Sequence, residues 1–174
     1  MLNAVFCALP LITLLLVASR QRASQDLWAD WKFQLGDWNT QNSSRVPGQA
    51  SKGGFSLTAE LDGEILVRKN HAEYPTTEGR PAFSHEDLMI IYHDGGVTKA
   101  YYDYSEGHII HYDVTVSPDK KEIVFLSEKG AAGPQYRLTY DDFEAGAVKV
   151  LFEIAPADKP GQFATYVEAV VHRN

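Results

Sequence analysis

Arg68, Asn70, His71, Glu73 and Tyr74 open a stretch of this chain that is dense in side chains able to bind ligands or move protons. His85, Glu86 and Asp87 follow, then Tyr92, His93, Tyr101, Asp103, Tyr104, Glu106, His108, His111 and Tyr112, so five of the six histidines fall between positions 71 and 111. On extended backbone, successive side chains point to opposite faces. Arg68 and Asn70 then share one face, with Val67, Lys69 and His71 on the other, while Tyr101 and Asp103 share a face opposite Tyr102 and Tyr104. If such faces turn toward an enclosed space, they line it with guanidinium, amide, carboxylate and phenol groups. That lining suits a small organic ligand with a polar or anionic group, engaged by Arg68. The candidate ligand-binding residues are Arg68, Asn70, His85, Asp87, Tyr101, Asp103, His108 and Tyr112.

Catalysis is the alternative use of the same groups. His85 or Asp103 would act as general base with Tyr101 as proton donor, as in a small hydrolase or isomerase. The established catalytic templates are absent: there is no Gly-x-Ser-x-Gly elbow, phosphate-cradling glycine loop, His-Glu-x-x-His or dinucleotide fingerprint. Ser84-His85-Glu86-Asp87 holds triad residue types, but consecutive residues cannot form a nucleophile–base–orienter line. Each candidate also has a plainer role. Tyrosines pack well in strands, and His85 could cap the loop it follows. Arg68 could pair across strands with Asp87 or Asp103 on a solvent face, whereas an Asp103 turned inward would face Arg68. His108 and His111 lie three apart and point to opposite faces of a strand. His71 with Glu73 is a single chelating pair, too little for zinc. No metal site and no cofactor is implied.

The surrounding sequence predicts an all-β fold. Period-2 patterns follow one another from Phe55 to His172 with turn signals between them and no long helix, giving about ten short strands. Phe55 to Leu61 and Glu64 to His71 flank Asp62-Gly63, which predicts a two-residue type I′ hairpin. A polar connection from Pro75 to Pro81 leads into a strand over Asp87 to Tyr92. Links this short join neighbouring antiparallel strands into an up-and-down meander. Closing the meander into a single barrel removes its exposed edges, and a barrel this wide is expected to enclose a cavity. The aromatic run Trp28 to Leu35 predicts a short N-terminal helix over 26–34. Gly36 and Trp38 would close one end of the barrel, with the late basic residue Arg173 over the Trp38 ring.

At 174 residues, 44% hydrophobic and 22% charged, the chain suits one ordinary globular domain, assigned here to residues 25–174. A net charge of −7 argues against a nucleic-acid or anionic-membrane partner. The expected partner is a small molecule, the mature chain a monomer or weak homodimer. Residues 1–19 read as a secretory signal, uncharged and apolar from Ala4 to Ala18, with Val17-Ala18-Ser19 as a small-residue cleavage site; an uncleaved anchor is the competing reading. Arg20 and Arg22 follow the cut, and the n-region lacks Lys and Arg. Export would make the protein secreted or periplasmic. It would also leave the mature chain without cysteine, since Cys7 is the only one. Asn42-Ser43-Ser44 is a formal glycosylation sequon.

Leu35-Gly36-Asp37-Trp38, Val67 to Pro75, Arg80 to Asp87, Glu106-Gly107-His108 and Phe152 to Pro156 resemble a family of bacterial lipocalin-like barrels with no assigned activity. That resemblance spans most of residues 30–173 and implies a calycin-type barrel without implying a reaction. A weaker resemblance is to nitrobindin-like haem barrels, which share the Gly-x-Trp opening. In those, glycines alternate after the Trp, where this chain has Asn39-Thr40-Gln41-Asn42. Their iron ligand is a histidine on a late strand, a position only His172 could fill here, and alternation from an inward Arg173 would turn His172 outward. Fatty-acid-binding-protein-like barrels carry a two-helix lid that this sequence lacks.

Overall fold

The computed structural model describes residues 27–40, 52–105, 107–128 and 133–174. The signal segment, Cys7, the sequon and Glu106 lie outside the described residues. Ten strands form the domain: β1 (Gly36–Asn39), β2 (Lys52–Glu60), β3 (Ile65–Tyr74), β4 (Phe83–Asp94), β5 (Val97–Tyr104), β6 (His108–Val116), β7 (Glu122–Ser127), β8 (Gln135–Glu144), β9 (Ala147–Ala155) and β10 (Ala164–Arg173). Each pairs antiparallel with its sequence neighbours, and β1 pairs with both β2 and β10, closing the sheet into a barrel. The expectation of an all-β antiparallel barrel of about ten strands therefore holds.

Two local expectations do not. Among the described residues, the region expected to be helical over 26–34 forms only a single 3-10 turn, Ala29–Trp31. Its two indoles are used as wedges, so tertiary packing rather than helix propensity sets its shape. The Asp62-Gly63 hairpin is also wider than predicted. Glu60 pairs with Ile65, leaving a four-residue connection with positive φ at Leu61, Asp62 and Gly63.

The turns after β2, β4, β6 and β8 gather at one end of the barrel, and the N-terminal segment closes that end. Trp28 donates its indole N–H to the Gly63 carbonyl at 2.8 Å and stacks on His93 at 4.5 Å. Lys120, in the turn after β6, pairs with Asp30. Trp31 is buried against Phe125 inside the barrel. Beneath this plug the inward side chains Leu57, Leu66, Met89, Ile91, Ile123 and Val148 are fully buried. The closed half is thus filled by its own side chains, which leaves the other half for the expected cavity. Burial of each such side chain contributes about 1.5–3 kcal/mol.

Trp38 joins this core. Its indole donates to the Gln34 carbonyl at 2.8 Å, and the Arg173 guanidinium lies 4.4 Å from its ring centroid. Arg173 also donates to the carbonyls of Leu35 and Phe33. Two glycines make this corner possible. Gly36 has φ +112°, a conformation that L side chains rarely adopt, and a Cβ on Gly54 would sit 2.3 Å from the Trp38 carbonyl oxygen.

Candidate functional site

The pairing register decides which candidate residues meet. Arg68 pairs with Met89, and Met89 with Tyr102; Asn70 pairs with Asp87, and Asp87 with Tyr104. Met89 is fully buried in the core, so Arg68, Asn70, His85, Asp87, Tyr102 and Tyr104 face the lumen. His108 pairs with Tyr104, and Tyr112 with Ala100, on the same inward face. Tyr101 and Asp103 face the other way.

At mid-height Arg68 crosses the lumen. Its guanidinium stands 5.1 Å from the Phe55 ring centroid and 5.9 Å from that of Tyr140, on the far side of the barrel. Nη1 donates to Asp87 Oδ1, and both side chains are buried, at 8% and 3% exposure. This is an interior pair, not the solvent-face pair that alternation alone allowed. Asp87 Oδ2 accepts from Asn70 Nδ2 at 2.8 Å and lies 3.3 Å from His85 Nε2, and the Tyr102 hydroxyl lies beside the same carboxylate. One carboxylate thus takes up donors from several neighbouring side chains, whereas the guanidinium donates Nη1 to it and leaves Nε–H without a partner among the described residues.

Electrostatics follow from this burial. Desolvation works against the Asp87 charge, but Arg68 and the His85 hydrogen bond outweigh it and hold the carboxyl below its ordinary range. Burial likewise opposes the Arg68 charge, and Asp87 with its tyrosine neighbours more than restores it. Tyr102 and Tyr112 are pushed well above the usual phenol range, chiefly by burial and then by the neighbouring Asp87 charge for Tyr102 and by Tyr140 for Tyr112. Burial pushes Tyr140 up to about 12, with Arg68 holding it back. All three stay protonated at neutral pH. The Tyr112 and Tyr140 hydroxyls and Arg68 Nε are buried without a hydrogen-bond partner among the described residues.

Above the Arg68 crossbar, toward the other end, the lining changes. Inward side chains there are half-buried instead of buried: Asn70, His85, Tyr102, Tyr104, Tyr136 and Phe152. This partly open upper half, with the buried Arg68–Asp87 pair beneath it, is the cup. Tyr104 stacks on His108 (5.4 Å, 12°) and Tyr136 on Phe152 (5.9 Å, 7°). At the rim Tyr74 stacks on Phe83 at 4.4 Å, beside a depression of about 540 Å³.

Tyr101 and Asp103 are not part of this cup. With Lys69, Glu86 and Leu88 they line a concavity of about 1240 Å³ that spans β1 to β5. They share the outward parity of Lys69, while Phe55, Asn70, Asp87 and Tyr104 of the inward face also border this concavity. Its charged groups sit in solvent, where an ion pair gains little, whereas the polar groups inside are desolvated and converge. Asp103 therefore does not face Arg68; Asp87 does. His71 lies 3.5 Å from both Glu73 and Glu86 on the exposed outer face. Among the described residues no group of three or more His, Cys, Asp or Glu side chains is placed to hold a metal ion. His172 pairs with Asn39 and Ala147 on the outward parity, opposite Val171 and Arg173. The bulge in β10 falls between Thr165 and Val167, so the register around His172 is regular and its ring points away from the lumen.

Phe55, Tyr102, Tyr104, Tyr136, Tyr140 and Phe152 complete the site without having been singled out as ligand-binding residues. A signal existed in β8, where Tyr136, Leu138 and Tyr140 alternate with Arg137, Thr139 and Asp141. Comparison of the sequence with models of protein families finds no matching family, and comparison with curated proteins finds no match.

Proposed function

We propose that this chain is a small-molecule binding protein that holds an organic ligand in the open half of its barrel, with the ligand's polar group against Arg68. The observation that carries the reading is the change of lining at mid-barrel. Below Arg68 the inward side chains are buried and mutually packed; above it they are half-exposed, aromatic and polar. Concave, largely apolar sites with a few convergent polar groups are the usual form of a ligand site. The kinship proposed with lipocalin-like barrels, drawn from the Leu35-Gly36-Asp37-Trp38 opening, agrees with this use of the fold. So does export to the periplasm or beyond, where such a carrier would meet its ligand.

A second reading, catalysis, draws on the His85–Asp87 contact of 3.3 Å at the cup floor, where a carboxylate could orient an imidazole. Asp103 and Tyr101 take no part in it, because they lie outside the barrel.

Ala72 faces inward beside His85 near the cup's mouth. The test is the fluorescence of 1-anilinonaphthalene-8-sulfonate with the wild type and with Ala72→Trp, whose added ring fills the cup. Enhancement in the wild type that is lost in the variant, at unchanged circular dichroism, supports the reading. Equal enhancement in both overturns it.

A further inference from the structure

Building on that binding reading, we infer that the cup takes a flat aromatic molecule bearing an oxygen acceptor, with its ring among Tyr102, Tyr104, Tyr136 and Phe152 and its oxygen on the Arg68 guanidinium. Two independent features of the cup give this chemistry. The first is its lining. The closed half is packed with Leu57, Leu66, Met89, Ile91 and Ile123. Those flexible and branched aliphatic groups are what a lipid chain would be expected to meet, and they are sealed below the crossbar. The half-buried inward surface above it is dominated by rings, which the fold already sets in parallel pairs, Tyr104 with His108 and Tyr136 with Phe152. Rings held in this way offer faces and edges to another ring, and each aromatic contact adds to binding beyond the area it buries.

The second feature is the one-sidedness of the floor. Among the described residues Asp87 is the only carboxylate facing the crossbar, and its oxygens are engaged by Arg68, Asn70 and His85. What Arg68 has left to offer is donors, its buried Nε–H among them, and a guanidinium cannot accept a hydrogen bond. A ligand group that only donates would meet donors of its own kind on Arg68, with only tyrosine hydroxyls left to accept from it, a poor exchange for its lost water. A carbonyl or carboxylate oxygen fits instead. Because Asp87 offsets the Arg68 charge, neutral and anionic acceptors share the same contact.

Saturation-transfer NMR and calorimetry with acetophenone, benzoate, cyclohexyl methyl ketone, cyclohexanecarboxylate and benzylamine test this on the full chain. Acetophenone or benzoate should bind, the matching saturated-ring compound about tenfold more weakly, and benzylamine should give no transfer. Tyr104→Leu with Phe152→Leu should collapse the aromatic preference while the circular dichroism stays unchanged. Should that double variant unfold, the five-compound ranking on the wild type decides alone. Saturated rings that bind as tightly as aromatic ones, or an amine that binds as tightly as a ketone, overturn the inference. If 1-anilinonaphthalene-8-sulfonate enters the cup and is shut out by Ala72→Trp, but neither acetophenone nor benzoate binds, the inference falls and the binding reading stands. If the dye is not shut out, the binding reading itself falls.

Discussion

The Arg68 guanidinium lies 5.9 Å from the centroid of the Tyr140 ring, although their strands, β3 and β8, stand five places apart either way round the barrel. A single side chain therefore bridges the lumen and divides it into a packed lower half and a cup. The bridge holds because Asp87 compensates its charge within the same low-dielectric space; alone, a buried guanidinium would be strongly destabilising.

The hydroxyls of Tyr112 and Tyr140 are buried without a partner among the described residues. Removing such an oxygen removes a desolvated polar group and leaves the ring packing in place. Tyr112→Phe and Tyr140→Phe should each leave the fold as stable as before or raise it by about 1 kcal/mol, read as an upward shift of the thermal midpoint. A loss of 2 kcal/mol or more would mean that both hydroxyls are hydrogen-bonded in solution.

Deleting one partner of the buried pair should be costly. Arg68→Ala or Asp87→Ala should each lower stability by about 3–5 kcal/mol, while Arg68→Ala combined with Asp87→Ala should cost far less than the sum of the two deletions. Urea unfolding of the four proteins measures this coupling; additive losses would show that the two charges are not paired. Asp87 also fixes the acid limb. Its carboxyl is held below the ordinary value in the folded chain, so its contribution is present above the unfolded value of about 4 and is lost as pH falls through the folded value. Asp87→Asn should flatten the fall in stability below about pH 4.

How much of this was legible before folding depends on what each feature needs. The strands were, because alternation such as Phe55-Ser56-Leu57-Thr58 is local, and closure followed from short links. The inward face of β5 was half-legible: Lys99 and Asp103 share a face with Tyr101, which marks it as outward, whereas Ala100, Tyr102 and Tyr104 carry no charge. The choice between Asp87 and Asp103 as partner of Arg68 was not legible, since it rests on cross-strand register. That register is set partly by the four-residue turn after β2, which Asp62-Gly63 suggested as a tighter hairpin. The reach of Arg68 to Tyr140 joins strands that never pair, so no local pattern carries it. Trp28 and Trp31 look like part of a helix, and they form a 3-10 turn because their indoles are held by Gly63, His93 and Phe125.

Arg173 fastens the chain's last strand to its first turn through the Trp38 ring and the carbonyls of Leu35 and Phe33. Arg173→Ala should lose the cation–π contribution of about 0.5–2 kcal/mol together with these hydrogen bonds. Hydrogen exchange should quicken first at Trp38 and Asn39; uniform exchange at unchanged stability would show that the contact contributes nothing.

In the proposed function the ligand sits inside the barrel, above Arg68, and not in the concavity that Lys69, Leu88 and Tyr101 line. Chemical-shift mapping on addition of acetophenone decides this most directly, because Tyr102, Tyr136 and Phe152 do not border the concavity that Lys69, Leu88 and Tyr101 line. The aromatic side-chain signals of Tyr102, Tyr136 and Phe152 and the Arg68 guanidinium signal should move together in one saturable titration. Saturable shifts confined to the side chains of Lys69, Leu88 and Tyr101 on the outer face would contradict it.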